Sequence, residues 1–390
     1  MKQFYLTLIF TVICVTVNAQ IFTQTKAEKA LQNYRDNLAI LRKEHTNGRY
    51  LPVVDFFLFG MGDRVKMVYK DGLLYNAKTS KILRRWKIKT ATIVPSEYLV
   101  HLELENGKSV DIQEDSHGVY LYENNMQVIM AESNLALPSF EGKRFAPILR
   151  VLHQEILMNV DEGLPLPNFL VYQKPNYRTA AMMIMVLKQT NNLNLISNWV
   201  TNLKEPYDRS IQGNPEIDNL GEVLYIISTV SDSNHPLIGK VLEEAGGYKN
   251  NDYIEGKTDD SFHPVYQTKW IKFGLKSLGI SDSYKIPLIY DNYSPVFWLD
   301  FKTQNVVGGR QFDEAMSLHS PYLTWAEDHT FNQKKGVVSL ADYPLTWEAD
   351  SKMANYSGMN AVDQVYAQSN ICATHGWHAA EMFLLLMEQK

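Results

Sequence analysis

Two short phrases near the end of the chain set an indole beside paired carboxylates. Leu323-Thr324-Trp325-Ala326-Glu327-Asp328 is echoed by Leu345-Thr346-Trp347-Glu348-Ala349-Asp350, with Pro321-Tyr322 and Tyr343-Pro344 as lead-ins. Flat aromatic faces stack on sugar rings, and two carboxyl groups can supply the acid and the base of glycoside hydrolysis. The same pattern fits two helix starts, with Thr as N-cap, acids in the first turn and Trp in the core. On the catalytic reading Glu327 and Glu348 come first, with Asp328, Asp350 and Asp218 as substitutes. Trp325, Trp347 and Tyr343 would then stack on substrate.

Loops in the second half of the chain carry further polar groups. Tyr177 and Arg178 open a methionine-rich segment whose Met182, Met183 and Met185 fit core filling. Asp208 and Arg209 follow a helical stretch and could bracket a polar substrate or pair with neighbours. Asp218 stands where an N-cap belongs, with Glu222 four residues on and so on the same helical face. His263 precedes another helical segment. His375, His378 and Glu381 recur at three-residue spacing, which fans them over about a third of a helix circumference. Substrate hydrogen bonds fit that spacing better than a metal, and the zinc-protease pattern His-Glu-x-x-His is absent. Ser/His/Asp chemistry has no signature, since no Gly-x-Ser-x-Gly occurs; no Gly-rich phosphate loop occurs either, and no cofactor is expected. A lone thiol, Cys372, is a poor nucleophile in an oxidising compartment.

Residues 1–19 have the form of an export signal: Lys2, an apolar run from Leu6 to Val17, and small residues at Val17-Asn18-Ala19. That run is too short to span a bilayer. The expected location is the periplasm or the extracellular space, with no membrane attachment after cleavage. The remaining ~370 residues would hold one cysteine, so no intrachain bridge forms and burial alone must stabilise the fold. The 390-residue chain is 45% hydrophobic and 12% aromatic, enough for a large core, and its length suggests two domains. A net charge of −5 without a Lys/Arg stripe argues against nucleic acid as a partner.

Ala27 to Lys43 has the spacing of an amphipathic helix. From Val53 to Ala131 short β-prone runs alternate with turns, and Asn106-Gly107 is a strong hairpin signal. The stretch from Pro138 to Lys143 marks a crossing point. Beyond it helical periodicity covers Arg144–Val160, Arg178–Gln189, Leu193–Leu203, Asn219–Val230, Leu237–Ala245, Val265–Leu278, Gly358–Gln368 and Trp377–Glu388. The expectation is an α+β multidomain chain: an N-terminal helix and antiparallel β-sandwich-like domain over 20–136, then an α/α helical toroid over 137–390.

Several of these phrases carry a resemblance. Tyr207-Asp208-Arg209, Asp218-Asn219-Leu220-Gly221, His263-Pro264-Val265-Tyr266-Gln267-Thr268-Lys269-Trp270, Tyr322 to Glu327, Tyr343 to Ala349 and His378-Ala379-Ala380-Glu381-Met382-Phe383 resemble secreted Bacteroidetes proteins described as glycoside hydrolases of the six-hairpin superfamily. The resemblance covers about Leu137 to the C-terminus and extends more weakly into the β-domain. It implies a six-hairpin toroid and a carbohydrate substrate. Many six-hairpin enzymes place an acid soon after an Arg at a helix start, and here Thr179 follows Tyr177-Arg178 instead.

The expected function is therefore hydrolysis of an oligo- or polysaccharide by carboxylate acid/base catalysis. Tyr177, Arg178, Asp208, Arg209, His263, His375 and His378 would bind substrate. Two alternatives stand beside it: a polysaccharide lyase using a Tyr/His pair such as Tyr343 and His375, and a glycan-binding protein without catalysis. The sequence leaves the sugar, the linkage and the oligomeric state open.

Overall fold

The computed structural model describes residues 22–45, 55–124, 126–294, 366, 368–369, 371, 373 and 375–388. They form a mixed α+β structure with antiparallel sheets and eight α-helices. The export-signal segment lies outside them. So does the expected helix at Gly358–Gln368, apart from Tyr366 and Gln368.

Helix α1 (Gln24–His45) turns Tyr34, Leu38 and Leu41 into the core and packs along β5. Two meanders follow. The first runs β1 (Phe56–Phe59), β2 (Met67–Lys70), β3 (Leu73–Asn76) and β4 (Ile82–Arg85). The second runs β5 (Ile88–Val94), β6 (Leu99–Leu104), β7 (Ser109–Glu114), β8 (Gly118–Glu123) and β9 (Met126–Glu132). Sequential pairing is what short turns impose. Asp71 and Gly72, at φ 48° and 76°, join β2 to β3, as a two-residue hairpin requires. The Asn106-Gly107 turn joins β6 to β7, where Gly107 N–H donates to Leu104 O at 3.0 Å.

Two buried ionic groups tie these layers together. Glu114 on β7 accepts from Gly60 N–H (2.9 Å), Met61 N–H (2.7 Å) and Arg64 Nη1 (2.9 Å). The Lys66 ammonium, 1% exposed, donates to the carbonyls of Gly60 (2.6 Å), Gly62 (2.5 Å) and Val160 (2.7 Å). Val160 lies just beyond α2 (Ala146–Met158), so this one cation joins the first meander to the helical part. The expected boundary near 136–137 falls in the connection between β9 and α2. Hydrophobic packing is continuous across it through Leu135, Phe140 and Phe145.

The remaining helices are α3 (Tyr177–Gln189), α4 (Ser197–Thr201), α5 (Asn219–Ser228), α6 (Leu237–Gly247), α7 (Pro264–Ser277) and α8 (Gly376–Glu388). The single helix expected over Leu193–Leu203 is instead a 3-10 turn at Leu193–Leu195 followed by α4. Ile196 breaks the run at φ −117°, ψ 0° while its side chain is fully buried. Helix α3 packs on both α5 and α8, α5 on α7, and α8 on α2. Gly376 N–H donates to Pro167 O (2.7 Å) and Lys143 Nζ to Met387 O (3.0 Å), which fixes α8 at both ends. Among the described residues no helix is long and apolar enough to cross a membrane.

Candidate active site

Helices α3, α5, α7 and α8 begin at one common mouth. Contacts from Arg178 reach the start of each of the other three, or the loop leading into it. Asn176 caps α3 by accepting from Thr179 N–H (3.0 Å), and the Asp208 carboxylate accepts from Tyr177 N–H. That fixes Arg178 on the first turn. Its Nε and Nη2 both reach Asp218 Oδ2, at 2.8 and 2.7 Å, and Nη1 reaches Asp259 Oδ2 at 2.9 Å. Glu216 Oε2 stands 3.7 Å from Nη2. On the α8 side the Trp377 ring lies 6.0 Å from the guanidinium carbon. Burial alone would weaken the charge on Arg178, but Asp218 and Asp259 outweigh it and hold the guanidinium well above its usual pKa.

Asp218 does not cap α5 with its side chain, as its position before an apolar helix had suggested. Its other oxygen accepts from Thr258 Oγ1 at 3.2 Å, and the residue is fully buried. An ion pair with Arg178 has taken the carboxylate away from the helix N-terminus. Asp259 is held differently. It occupies a two-residue turn with Asp260 between β14 (Lys257–Thr258) and β15 (Ser261–Phe262), numbered after the short hairpins β10–β11 (160–165) and β12–β13 (249–254). Both residues of that turn have left-handed backbone, φ 49° and 60°. Non-glycine residues seldom adopt that region and tend to do so at functional sites.

Two glutamates complete the acidic side. Glu216 Oε2 accepts the Asp259 N–H at 2.6 Å. Burial pushes its carboxyl up to about 7, a shift that this hydrogen bond opposes and the Asp218 charge reinforces. Glu222 is fully buried. Its Oε2 accepts from Asn219 Nδ2 at 3.0 Å, and its Oε1 has no partner among the described residues. Burial and the adjacent Asp218 drive its pKa well above the ordinary range.

Beside this cluster opens a cleft of about 270 Å³, lined among others by Asp259, Ser261, Phe262, His263, Tyr290 and Tyr293. The His263 imidazole lies flat on the Tyr293 ring, 3.8 Å between centroids and 9° between planes. Its Nδ1 meets Asp291 Oδ1 at 3.0 Å. Asp291 also receives Tyr266 N–H (2.9 Å) and Tyr293 N–H (2.8 Å), so it serves the start of α7, where His263 makes no cap of its own. Tyr293 Oη donates to Asp259 Oδ2 at 3.0 Å, linking the stacked pair to Arg178. A carboxylate on Nδ1 leaves the Nε2 lone pair of a neutral imidazole as acceptor.

Of the residues expected from sequence, Arg178 and Asp218 therefore meet, and His263 joins them through Tyr293 and Asp259. His375 and His378 flank them through Trp377, with 5.2 Å between the two imidazoles and 6.5 Å from His378 to the indole. Burial pushes His375 down to about 4, and burial together with His375 pushes His378 down to about 3. Glu381 accepts from Trp377 Nε1 at 3.1 Å.

Other expected residues sit apart from the cleft. Tyr177 packs on Trp199 and donates through Oη to Glu205 O, and Asp208 serves the start of α3. Arg209 is exposed, with its guanidinium over Tyr207 and bonded to Gly213 O. Glu327, Asp328, Glu348, Asp350, Trp325, Tyr343 and Trp347 lie outside the described residues. Sequence reasoning did not single out Glu216, Asp259, Asp291 or Tyr293 individually, although Asp291 and Tyr293 fall in the aromatic cluster of residues 290–298, a kind that lines carbohydrate clefts or packs hairpin layers. The signal for Asp259 was the Asp-Asp pair between two β-prone dipeptides, and none of the four announces its long-range partner.

No protein-family model matches the chain, no curated protein matches its sequence, and no solved structure matches it.

Proposed function

We propose that the chain is an exported glycoside hydrolase whose cleft lies at the shared mouth of α3, α5, α7 and α8. One observation carries this reading. Glu216, whose carboxyl keeps its proton to about pH 7, and the Asp259 carboxylate both stand within 4 Å of the Arg178 guanidinium, beside an open cleft. A carboxylic acid protonated at neutral pH can protonate a departing glycosidic oxygen. A neighbouring carboxylate can activate water or attack the sugar. The His263–Tyr293 pair offers an aromatic wall against which a sugar ring can lie.

Helix direction supports the finer fold we infer, a β-sandwich-like front on an α/α toroid. Four neighbouring helices start at one end, as inner helices of stacked hairpins do, while α4 and α6 run in the return segments between them. The resemblance to six-hairpin enzymes points the same way, and an export signal over residues 1–19 fits action on external glycans.

The test is an oligosaccharide panel assayed with the mature chain and with Glu216→Gln, Asp259→Asn, Glu327→Gln and Glu348→Gln made singly. Reducing ends released by the parent, and a loss of at least ~100-fold in one of the first two variants, support the assignment. Full turnover in both would remove Glu216 and Asp259 from the chemistry. The lyase alternative draws on the His263–Tyr293 pair and predicts unsaturated products absorbing in the near ultraviolet. Binding without any product would favour a glycan-binding protein.

A further inference from the structure

The charge of the cleft carries the assignment one step further, to the kind of sugar it accepts. This step rests on the hydrolase reading. Among the described residues lining the cleft two are carboxylates, Asp259 and Asp291, and none is Lys or Arg. The guanidinium of Arg178, the nearest among the described residues, is already held by Asp218 and Asp259 at 2.7–2.9 Å and is 8% exposed. Lys269, one turn into α7, is fully buried, with its ammonium on the carbonyl and hydroxyl of Ser294, both at 3.1 Å. Behind Arg178 stand Glu216 and the unpartnered Oε1 of Glu222. The two histidines across the mouth stay uncharged at neutral pH and add no positive charge. At the rim Phe262 and Tyr290 are large aromatic side chains, 59% and 60% exposed.

We infer that the cleft binds an uncharged sugar unit and rejects a uronic acid: its described lining joins two carboxylates to exposed aromatic faces, and the neighbouring Arg178 guanidinium is already paired. A sugar carboxylate entering beside Asp259 would meet like charge in a partly desolvated cleft, with no Lys or Arg among the described lining residues to receive it. A hydroxymethyl group at the same ring position meets no such penalty. It can hydrogen-bond to carboxylate oxygens, while the ring's apolar face lies on Phe262 or Tyr290.

Titration calorimetry on the full mature chain tests this with paired oligosaccharides of glucose and glucuronic acid, and of galactose and galacturonic acid, at neutral pH and low salt. The neutral member of a pair is expected to bind at least about tenfold more tightly. Added salt should narrow that gap by screening, and Asp259→Asn should narrow it by removing one of the opposing charges. Equal or tighter binding of the uronides overturns this inference and leaves the hydrolase reading standing. A gap that responds neither to salt nor to Asp259→Asn also overturns it, because its origin would not be charge. Binding of neither series, with no product released from either, would sink both.

Discussion

Gly221 and Gly274 face each other where α5 packs on α7. A Cβ placed on Gly274 would stand 2.5 Å from the Gly221 carbonyl oxygen, and one placed on Gly221 would stand 2.2 Å from the Trp270 carbonyl carbon. Backbone cannot withdraw from such contacts as a side-chain tip can. Gly221→Ala and Gly274→Ala should each cost about 3 kcal/mol, the upper part of the overpacking range, seen as a lower denaturant midpoint. Gly239, exposed on α6 with nothing near its would-be Cβ, is the control: Gly239→Ala should stabilise by about 0.5–1 kcal/mol.

Arg178 is the only cation in contact with Asp218 among the described ion pairs, and Asp218 is fully buried. Arg178→Met strands that carboxylate and should cost about 3–5 kcal/mol. Adding Asp218→Asn removes the stranded charge, so the double variant should be more stable than Arg178→Met alone. If both variants unfold at the same denaturant concentration, the ion pair is not what holds the mouth together.

Glu216 sets a pH dependence with a definite sign. Its folded-state value of about 7 lies above the ordinary 4.5, so the folded chain holds a proton that the unfolded chain releases. The contribution is complete below pH 4.5 and is lost as pH rises towards 7. Glu216→Gln should flatten the fall in stability across that window, measured by thermal melts at several pH values. In the parent, turnover should decline above about pH 7 as the acid ionises.

The histidines at the α8 start slope the other way. His375 and His378 sit at about 4 and 3, below the ordinary 6.5. Their contribution is complete above pH 6.5 and is lost as pH falls towards 4 and 3. Carbon-bound proton shifts of both rings should stay at neutral-form values down to pH 5. A midpoint near 6.5 for either ring would show that its surroundings do not hold it neutral.

Asp291→Ala should do two things at once. Loss of the acceptor for Tyr266 N–H at the start of α7 should cost about 1–2 kcal/mol, like the loss of a helix cap. Loss of the Nδ1 partner should leave His263 with a mixed tautomer population, read from its ring nitrogen shifts.

Much of the scaffold was legible because it is written locally. Asp71-Gly72 and Asn106-Gly107 specify their hairpins through left-handed backbone, and apolar spacing placed α3, α5, α6, α7 and α8 to within two residues of either end. Local logic failed where a distant partner won. Asp218 precedes an apolar helix and so looks like its cap, yet Arg178, forty positions earlier, takes its carboxylate. No residue near Asp218 in sequence offers that helix face a cation, which leaves solvent or a ligand as the expected source, and Arg178 on another helix supplies it instead. Asp291 shows the converse, capping α7 from beyond its far end. Glu216 gave no sign because burial, which raises its pKa, belongs to the fold and not to Asn-Pro-Glu-Ile-Asp.

The ammonium of Lys66 binds carbonyls on both sides of the junction between strands and helices. Rocking one half against the other would pull that cation from Val160 or from Gly60 and Gly62, leaving it dry and under-coordinated. Hinge opening at this seam is thus costly.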